Sequence, residues 1–347
     1  MIQDIGPHKL NNHYQPDCSP VPDDYVFLFK GRDLALDDRR EVLSLPKVSA
    51  FPDNAEYCYL FSIDDKPCYL LIPASGPHHE SVEKSADGTT GTTETALART
   101  DMAGTGMAGT DMARTDMARS GMAGTDRTAL KTKDEQPGPL SPDALLPAGC
   151  AWFPARDLRR NKRSGKTLSF AAFTALQLAS WYRDNTYCGT CGTHTILGKT
   201  ERSIICPSCG RTIYPRIIPA VIVGVTNGDY LLHTKYERSR GISFYALVAG
   251  FTEIGETFEE CVAREVMEAT GLKVKNIRYY KSQPWGIVDD ILAGFYCDVD
   301  GSSEIHIDRT ELCEGVWVHR KDIVGQPDDA SLTHHMMITF RDGKEPR

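Results

Sequence analysis

The chain has 347 residues, 41% of them hydrophobic and 25% charged, a composition that fits a folded, globular protein of two or three domains. A formal net charge of −8 and a pI near 5.7 leave no general basic surface to hold a nucleic-acid backbone by counterion release, which argues against a duplex-binding role. No apolar run approaches the roughly 20 residues of a membrane span, and the first residues, MIQDIGPHKLNNHYQPDCSP, lack a basic stretch followed by an apolar one, so a cytoplasmic chain is expected. Its 11 cysteines are then expected to be thiols or metal ligands rather than disulfides.

Residues 1–75 read as a β-rich N-terminal domain. They hold two apolar, aromatic stretches, DYVFLF and YCYLFSIDDKPCYLLIPA, the second broken by an Asp-Asp-Lys-Pro turn that predicts a hairpin. No constellation of polar side chains stands out there, so a packing or dimerisation unit is the expectation. From 76 to 145 the composition shifts to Gly, Thr, Ser, Ala and charge, with five consecutive five-residue repeats from Asp101 to Thr125: DMAGT, GMAGT, DMART, DMARS and GMAGT. Such a repeat is too short for a supersecondary unit, and its glycines and threonines oppose a helix, so a disordered insertion is expected, with a Met-rich binding segment as the alternative. Residues 146–184 return to the N-terminal domain and carry a core-facing helix over 167–183, where apolar groups recur at helical spacing.

Residues 185–215 contain CGTC and CPSC. Cys188 and Cys191 are separated from Cys206 and Cys209 by fourteen residues, and each pair can grip one tetrahedral ion from a tight turn. This is the spacing of a zinc ribbon, and the glycines Gly189, Gly192 and Gly210 suit its knuckle turns. With four sulfur ligands there is no open coordination position, so the Zn²⁺ is expected to be structural. A redox CxxC is the rival reading, and it needs only one pair.

Residues 216–347 form the last domain. In GFTEIGETFEECVAREVMEATGL, residues 250–272, Thr257 and Glu260 make a capping box and Gly271 sits where a helix terminates, which predicts a helix over 258–269. At about 100° per residue, Glu265, Glu268 and position 269 share one face, a cluster suited to Mg²⁺ or Mn²⁺ bridged to a diphosphate. A solvated acidic helix would account for the carboxylates taken alone.

The full spacing of Gly250, Glu256, Arg264, Glu265, Glu268 and Gly271 resembles the Nudix box. SQPW at 282–285 resembles the mark of the NADH pyrophosphatase subfamily, whose members also carry a four-cysteine ribbon ahead of the Nudix domain. The resemblance implies an α/β fold, a Nudix α/β/α sandwich preceded by the zinc ribbon and the small β-rich domain. It implies that Glu256 braces Arg264, that Glu265 and Glu268 are catalytic with them, and that Glu265, Glu268, Glu311 and the carbonyl of Ala249 hold the catalytic Mg²⁺ or Mn²⁺. Substrate contacts carried over by motif are Glu201, Tyr214, Phe251, Gln283, Pro284, Trp285, Gly286, Ile287, Val288, Asp289, Asp290 and Thr333. Aromatics offer stacking faces and Gln283 offers amide hydrogen bonds, while Tyr214 and Trp285 taken singly would read as core aromatics. The implied reaction is hydrolysis of NADH or NAD⁺ to nicotinamide mononucleotide and AMP by a homodimer. Another nucleoside diphosphate derivative, an NAD cap on RNA, or dinucleotide binding with weakened catalysis are the alternatives.

Two departures matter. The subfamily usually continues SQPW with Pro-Phe-Pro, whereas this chain runs Gly-Ile-Val-Asp-Asp, so a looser substrate loop is expected. Ala269 stands where the family has a metal-holding glutamate that helps position the attacking water. Reduced or Mn²⁺-dependent activity is expected, with Glu265, Glu268 and Glu311 left to hold the cations.

Overall fold

A computed structural model describes residues 1–72, 141–236 and 244–346. The five-residue repeats lie outside the described residues, as does the rest of the expected 76–145 insertion up to residue 140. Its last residues are ordered: Pro142–Leu145 form a 3-10 turn capped by Ser141, with Asp143 accepting hydrogen bonds from Lys30 and Trp152.

The N-terminal part contains β1 (Leu10–Asn11), β2 (Tyr25–Phe27), β3 (Phe29–Lys30), β4 (Asp33–Asp37), β5 (Tyr57–Ile63), β6 (Lys66–Leu71) and β7 (Cys150–Pro154). They form two small sheets, ordered β1-β5-β6-β2 and β3-β4-β7, so that β7 joins the N-terminal domain from beyond the insertion. The predicted hairpin is β5–β6. Asp64 and Asp65 both have positive φ, 50° and 63°, the two left-handed positions whose twist matches that of the flanking strands. Alternate residues face two cores: Phe27, Leu34 and Leu36 one, Val26, Leu28 and Ala35 the other.

Helix α1 (Gly165–Asp184) covers the predicted helix. Its small residues Ala171, Ala172, Ala175 and Ala179 lie in the first of those cores, letting the helix approach the sheets closely. The ribbon follows as β8 (Ile196–Leu197), β9 (Ile204–Ile205) and β10 (Thr212–Ile213), an antiparallel sheet in the order β10-β9-β8. Leu197 and Ile204 belong to the same core as α1 and the N-terminal sheets, so the ribbon is docked rather than free-standing.

The last domain contains β11 (Ile218–Asn227), β12 (Tyr230–Tyr236), β13 (Val248–Phe251), α2 (Phe258–Thr270), β14 (Val274–Trp285), β15 (Asp290–Val299), β16 (Leu312–His319) and α3 (Leu332–Arg341). The strands build one mixed sheet, β14-β15-β11-β12-β16, with β13 also paired to β11 and with β11 and β15 parallel from Ile218↔Asp290 onward. Strand alternation sends Val221, Val223 and Val225 to the face covered by Cys261, Val262 and Val266 of α2. Ile222 points to the other face, among Leu332, Met336, Met337 and Phe340 of α3. This is the expected α/β/α sandwich. Among the described residues, no helix is long and apolar enough to cross a membrane.

Candidate active site and zinc ribbon

The loop from Gly250 to Thr257 and helix α2 are shaped by local chemistry. Thr257 Oγ1 accepts from the Glu260 N–H at 3.2 Å, and Glu260 Oε2 accepts from the Thr257 N–H at 2.8 Å, completing the predicted capping box. Gly271 ends the helix at a left-handed φ of 69°. Between these limits α2 lays Glu265 against β13 so closely that a Cβ on Gly250 would stand 1.9 Å from the Glu265 carboxyl carbon. Any larger residue at position 250 would displace the Glu265 carboxylate.

Arg264 is the hub. It grips Glu256 with two bonds, Nε to Oε1 at 2.7 Å and Nη2 to Oε2 at 2.8 Å, and also donates to Glu265 Oε1 at 2.7 Å, Glu268 Oε2 at 3.2 Å and the Phe251 carbonyl at 2.9 Å. The guanidinium holds the Glu256 carboxyl down to about 2, helped by the Glu253 N–H. Glu265 moves the other way. Burial raises it against the opposing pull of Arg264, and the negative charges of Glu268 and Glu311 add to the rise.

The carboxylates of Glu265, Glu268 and Glu311 and the carbonyl of Ala249 next to Gly250 are oxygen donors of the kind that hard divalent cations take. Among the described residues only the four cysteines meet as a ready metal cluster, while Arg264 bonds both Glu265 and Glu268. Ala269 is half-buried and packs against the core beneath α2, and its carbonyl accepts from the Asp308 N–H at 3.1 Å. The methyl therefore supplies packing at a place where the family has a carboxylate.

In the ribbon the four sulfurs lie within 4.8 Å of one another, with Cys188–Cys209 at 3.6 Å and Cys191–Cys206 at 3.5 Å. A zinc tetrahedron with bonds of about 2.3 Å has edges of about 3.8 Å, so this thiol set fits Zn²⁺. The two knuckles are alike: Gly192 N–H donates to the Cys188 carbonyl at 2.8 Å and Gly210 N–H to the Cys206 carbonyl at 3.0 Å, with φ of 74° and 72°. A redox pair would not need this second, matching half.

The expected substrate contacts divide into two groups. Glu201 and Tyr214 meet on the ribbon, the Tyr214 hydroxyl donating to Glu201 Oε1 at 2.8 Å, and that bond to a carboxylate raises the phenol. Tyr214 borders a cavity of about 320 Å³ whose other walls include Gln177, Trp181, Asp184, Asn185, Arg216 and Asp289. Sequence reasoning missed Arg216 and the α1 residues among these, because the apolar spacing of α1 is fully explained by its core face. Phe251, at the end of β13, keeps about half its surface (51%) open, as a stacking aromatic requires. Thr333 lies half-buried in the first turn of α3.

The second group corrects two expectations. Gln283 has no exposed surface, and its amide is committed inside the fold: Nε2 donates to Ala330 O at 2.7 Å and Gln3 Oε1 at 3.1 Å, and Oε1 accepts from Leu332 N at 2.6 Å. It braces the start of α3 instead of offering free hydrogen bonds. The loop after Pro284 is held, not loosened. Trp285 packs edge-on to Phe173 at 5.7 Å, and Ile287 joins the same cluster. A Cβ on Gly286 would stand 2.3 Å from the Phe173 carbonyl oxygen. The Ile287 carbonyl accepts from Arg32, and Asp289 pairs with Arg216 at 2.9 Å, while Val288 stays exposed. Asp290 is buried, with Oδ1 unpartnered among the described residues.

The family description "NUDIX domain" matches residues 216–338, and "NADH pyrophosphatase zinc ribbon domain" matches residues 183–214. Two curated proteins named NAD-capped RNA hydrolase NudC, from Escherichia coli O1:K1 / APEC and from Escherichia coli strain SMS-3-5, are each 40% identical over 162 residues, covering 47% of this chain and 62% of theirs. The chain thus spans less than two thirds of the length of these relatives. Among solved structures, a Nudix hydrolase from Nitrosomonas europaea is similar at 22% identity and a TM-score of 0.36, covering 45% of this chain and 90% of its own. Residues 216–338 thus match a Nudix domain, and residues 183–214 ahead of them match a zinc ribbon of the NADH pyrophosphatase kind.

Proposed function

We propose that the protein hydrolyses the diphosphate of NADH or NAD⁺, releasing nicotinamide mononucleotide and AMP. The observation that carries this reading is the Arg264 hub, which fixes Glu256 and Glu265 against Gly250 in the arrangement the Nudix box requires. Glu265, Glu268, Glu311 and the Ala249 carbonyl would hold Mg²⁺ or Mn²⁺, which neutralises diphosphate oxygens and lowers the pKa of bound water. Arg264 keeps Glu256 ionised and directs Glu265 toward the β13 end. Phe251 and Tyr214 supply exposed aromatic faces for the bases. A homodimer in a reducing compartment, where the 11 thiols stay free, goes with this function. A second reading, cleavage of an NAD cap on RNA, is favoured by the names of the relatives and uses the same diphosphate chemistry.

The test is AMP release, followed by chromatography, from NADH with Mg²⁺ or Mn²⁺, for the native chain beside Ala269→Glu. General acid–base help is worth about 10²–10⁴-fold, so the variant is expected to gain at least tenfold. A glutamate there lies one turn after Glu265 and can extend toward it. Release by neither protein overturns the reaction; release without a gain overturns the account of position 269.

A further inference from the structure

The N-terminal domain has no assigned part in the chemistry, yet it grips the turn of the ribbon that carries Glu201. That turn, Gly198 to Ser203, connects β8 to β9. At its entry the Tyr14 hydroxyl donates to the Gly198 carbonyl at 3.0 Å. At its exit Arg202, next to Glu201, leaves the ribbon: its Nη2 donates to the carbonyls of Leu60 in β5 and Asn12 after β1, and its guanidinium lies 4.9 Å from the centre of the Tyr14 ring.

Several features show that the grip is specific. The Arg202 Nη1 is buried and has no partner among the described residues, so the cation is held without a carboxylate, by carbonyls and a ring face alone. An arginine needed only for solubility or surface charge would turn into water. The turn itself has little room, since a Cβ on Gly198 would stand 2.2 Å from Ser203 Oγ and 2.9 Å from the Glu201 carbonyl oxygen. Leu197 and Ile204, on either side of it, are buried in the core shared with the N-terminal sheets. The turn is thus held at both ends, and from it the Glu201 carboxylate accepts from the Tyr214 hydroxyl.

We infer that the N-terminal domain is a clamp on the substrate side of the ribbon, in which Arg202 and Tyr14 are positioning residues that hold Glu201 in bonding distance of Tyr214. This rests on the assignment of Glu201 and Tyr214 to dinucleotide binding. It gives the β-rich domain a task at the site in place of packing alone.

Equilibrium binding of NADH to the full chain, read by NADH fluorescence without added divalent metal, tests the clamp independently of turnover. Glu201→Gln, Arg202→Met, Tyr14→Phe and the double variant Glu201→Gln/Arg202→Met are compared, with zinc content as the check of folding. The expected result is a roughly tenfold weaker Kd for Arg202→Met, a smaller loss for Tyr14→Phe, and less than a twofold further loss when Arg202→Met is added to Glu201→Gln, since residues acting as a unit are not additive. Unchanged affinity in Arg202→Met and Tyr14→Phe while Glu201→Gln binds weakly overturns the clamp and leaves the pocket standing. Fully additive losses overturn it too, because Arg202 then acts elsewhere. A silent Glu201→Gln overturns the pocket assignment and the clamp together. Should Arg202→Met lose its zinc, Tyr14→Phe alone decides, since it removes one hydrogen bond and keeps the ring.

Discussion

At Gln283 a single amide joins three stretches of chain, the SQPW strand, the N-terminal segment at Gln3 and the start of α3 at Ala330 and Leu332. Its motif marked it as a substrate contact, because a motif carries residue identity but not burial. Leaving buried backbone groups without partners costs about 1–3 kcal/mol each, so Gln283→Ala is expected to destabilise the protein by about 2–4 kcal/mol, seen as a fall of several degrees in Tm. A Tm unchanged within a degree would return Gln283 to the substrate side. Arg264 was legible in advance because its partners are the next residue, Glu265, one residue a turn further on, Glu268, and Glu256 in the adjoining loop, all close in the chain. The packing of Ala269 against the core beneath α2 was not, since that core is built by strands distant in sequence.

The hairpin β5–β6, helix α1 and helix α2 were all visible as local signals: a two-residue aspartate turn, apolar spacing, and a capping box closed by glycine. The turn between β14 and β15 was not, and the substitution of Gly-Ile-Val for two prolines and an aromatic was expected to loosen it. Arg32, Phe173 and Arg216, all distant in sequence, hold it instead. At its end Asp290 is buried beside Asp289, and burial, with the neighbouring charge added, pushes its carboxyl up to about 7 from an ordinary 3.8. The unfolded chain gives up that proton first. The stability Asp290 contributes is therefore full below an ordinary aspartate pKa and lost as pH rises through about 7. Asp290→Asn keeps the shape without the charge. It is expected to match the native Tm near pH 4 and to exceed it by a few degrees at pH 8, in a series of thermal melts. A gap that does not change with pH would mean that Asp290 finds a partner in solution.

For the whole molecule, the decisive feature is a core common to the N-terminal sheets, α1 and two ribbon residues, Leu197 and Ile204. Because the ribbon is built into that core, loss of its metal should reach beyond it. Cys206→Ser is expected to take the zinc content from one to none by elemental analysis, to lower Tm by several degrees, and to weaken NADH binding, since Glu201 and Tyr214 sit on ribbon strands and turns. Zinc loss with an unchanged Tm would show a ribbon that folds apart from its neighbours. The amino-acid sequence by itself determined the Nudix box, the ribbon ligands, helices α1 and α2 and the hairpin. Each is written in spacings of a few residues, where helix pitch, turn preference and ligand geometry act directly. Only the tertiary structure decided that Gln283 is a brace, that the loop after Trp285 is held, and that the N-terminal domain reaches the Glu201 turn. These depend on contacts between residues far apart in the chain, which packing selects and no local pattern records.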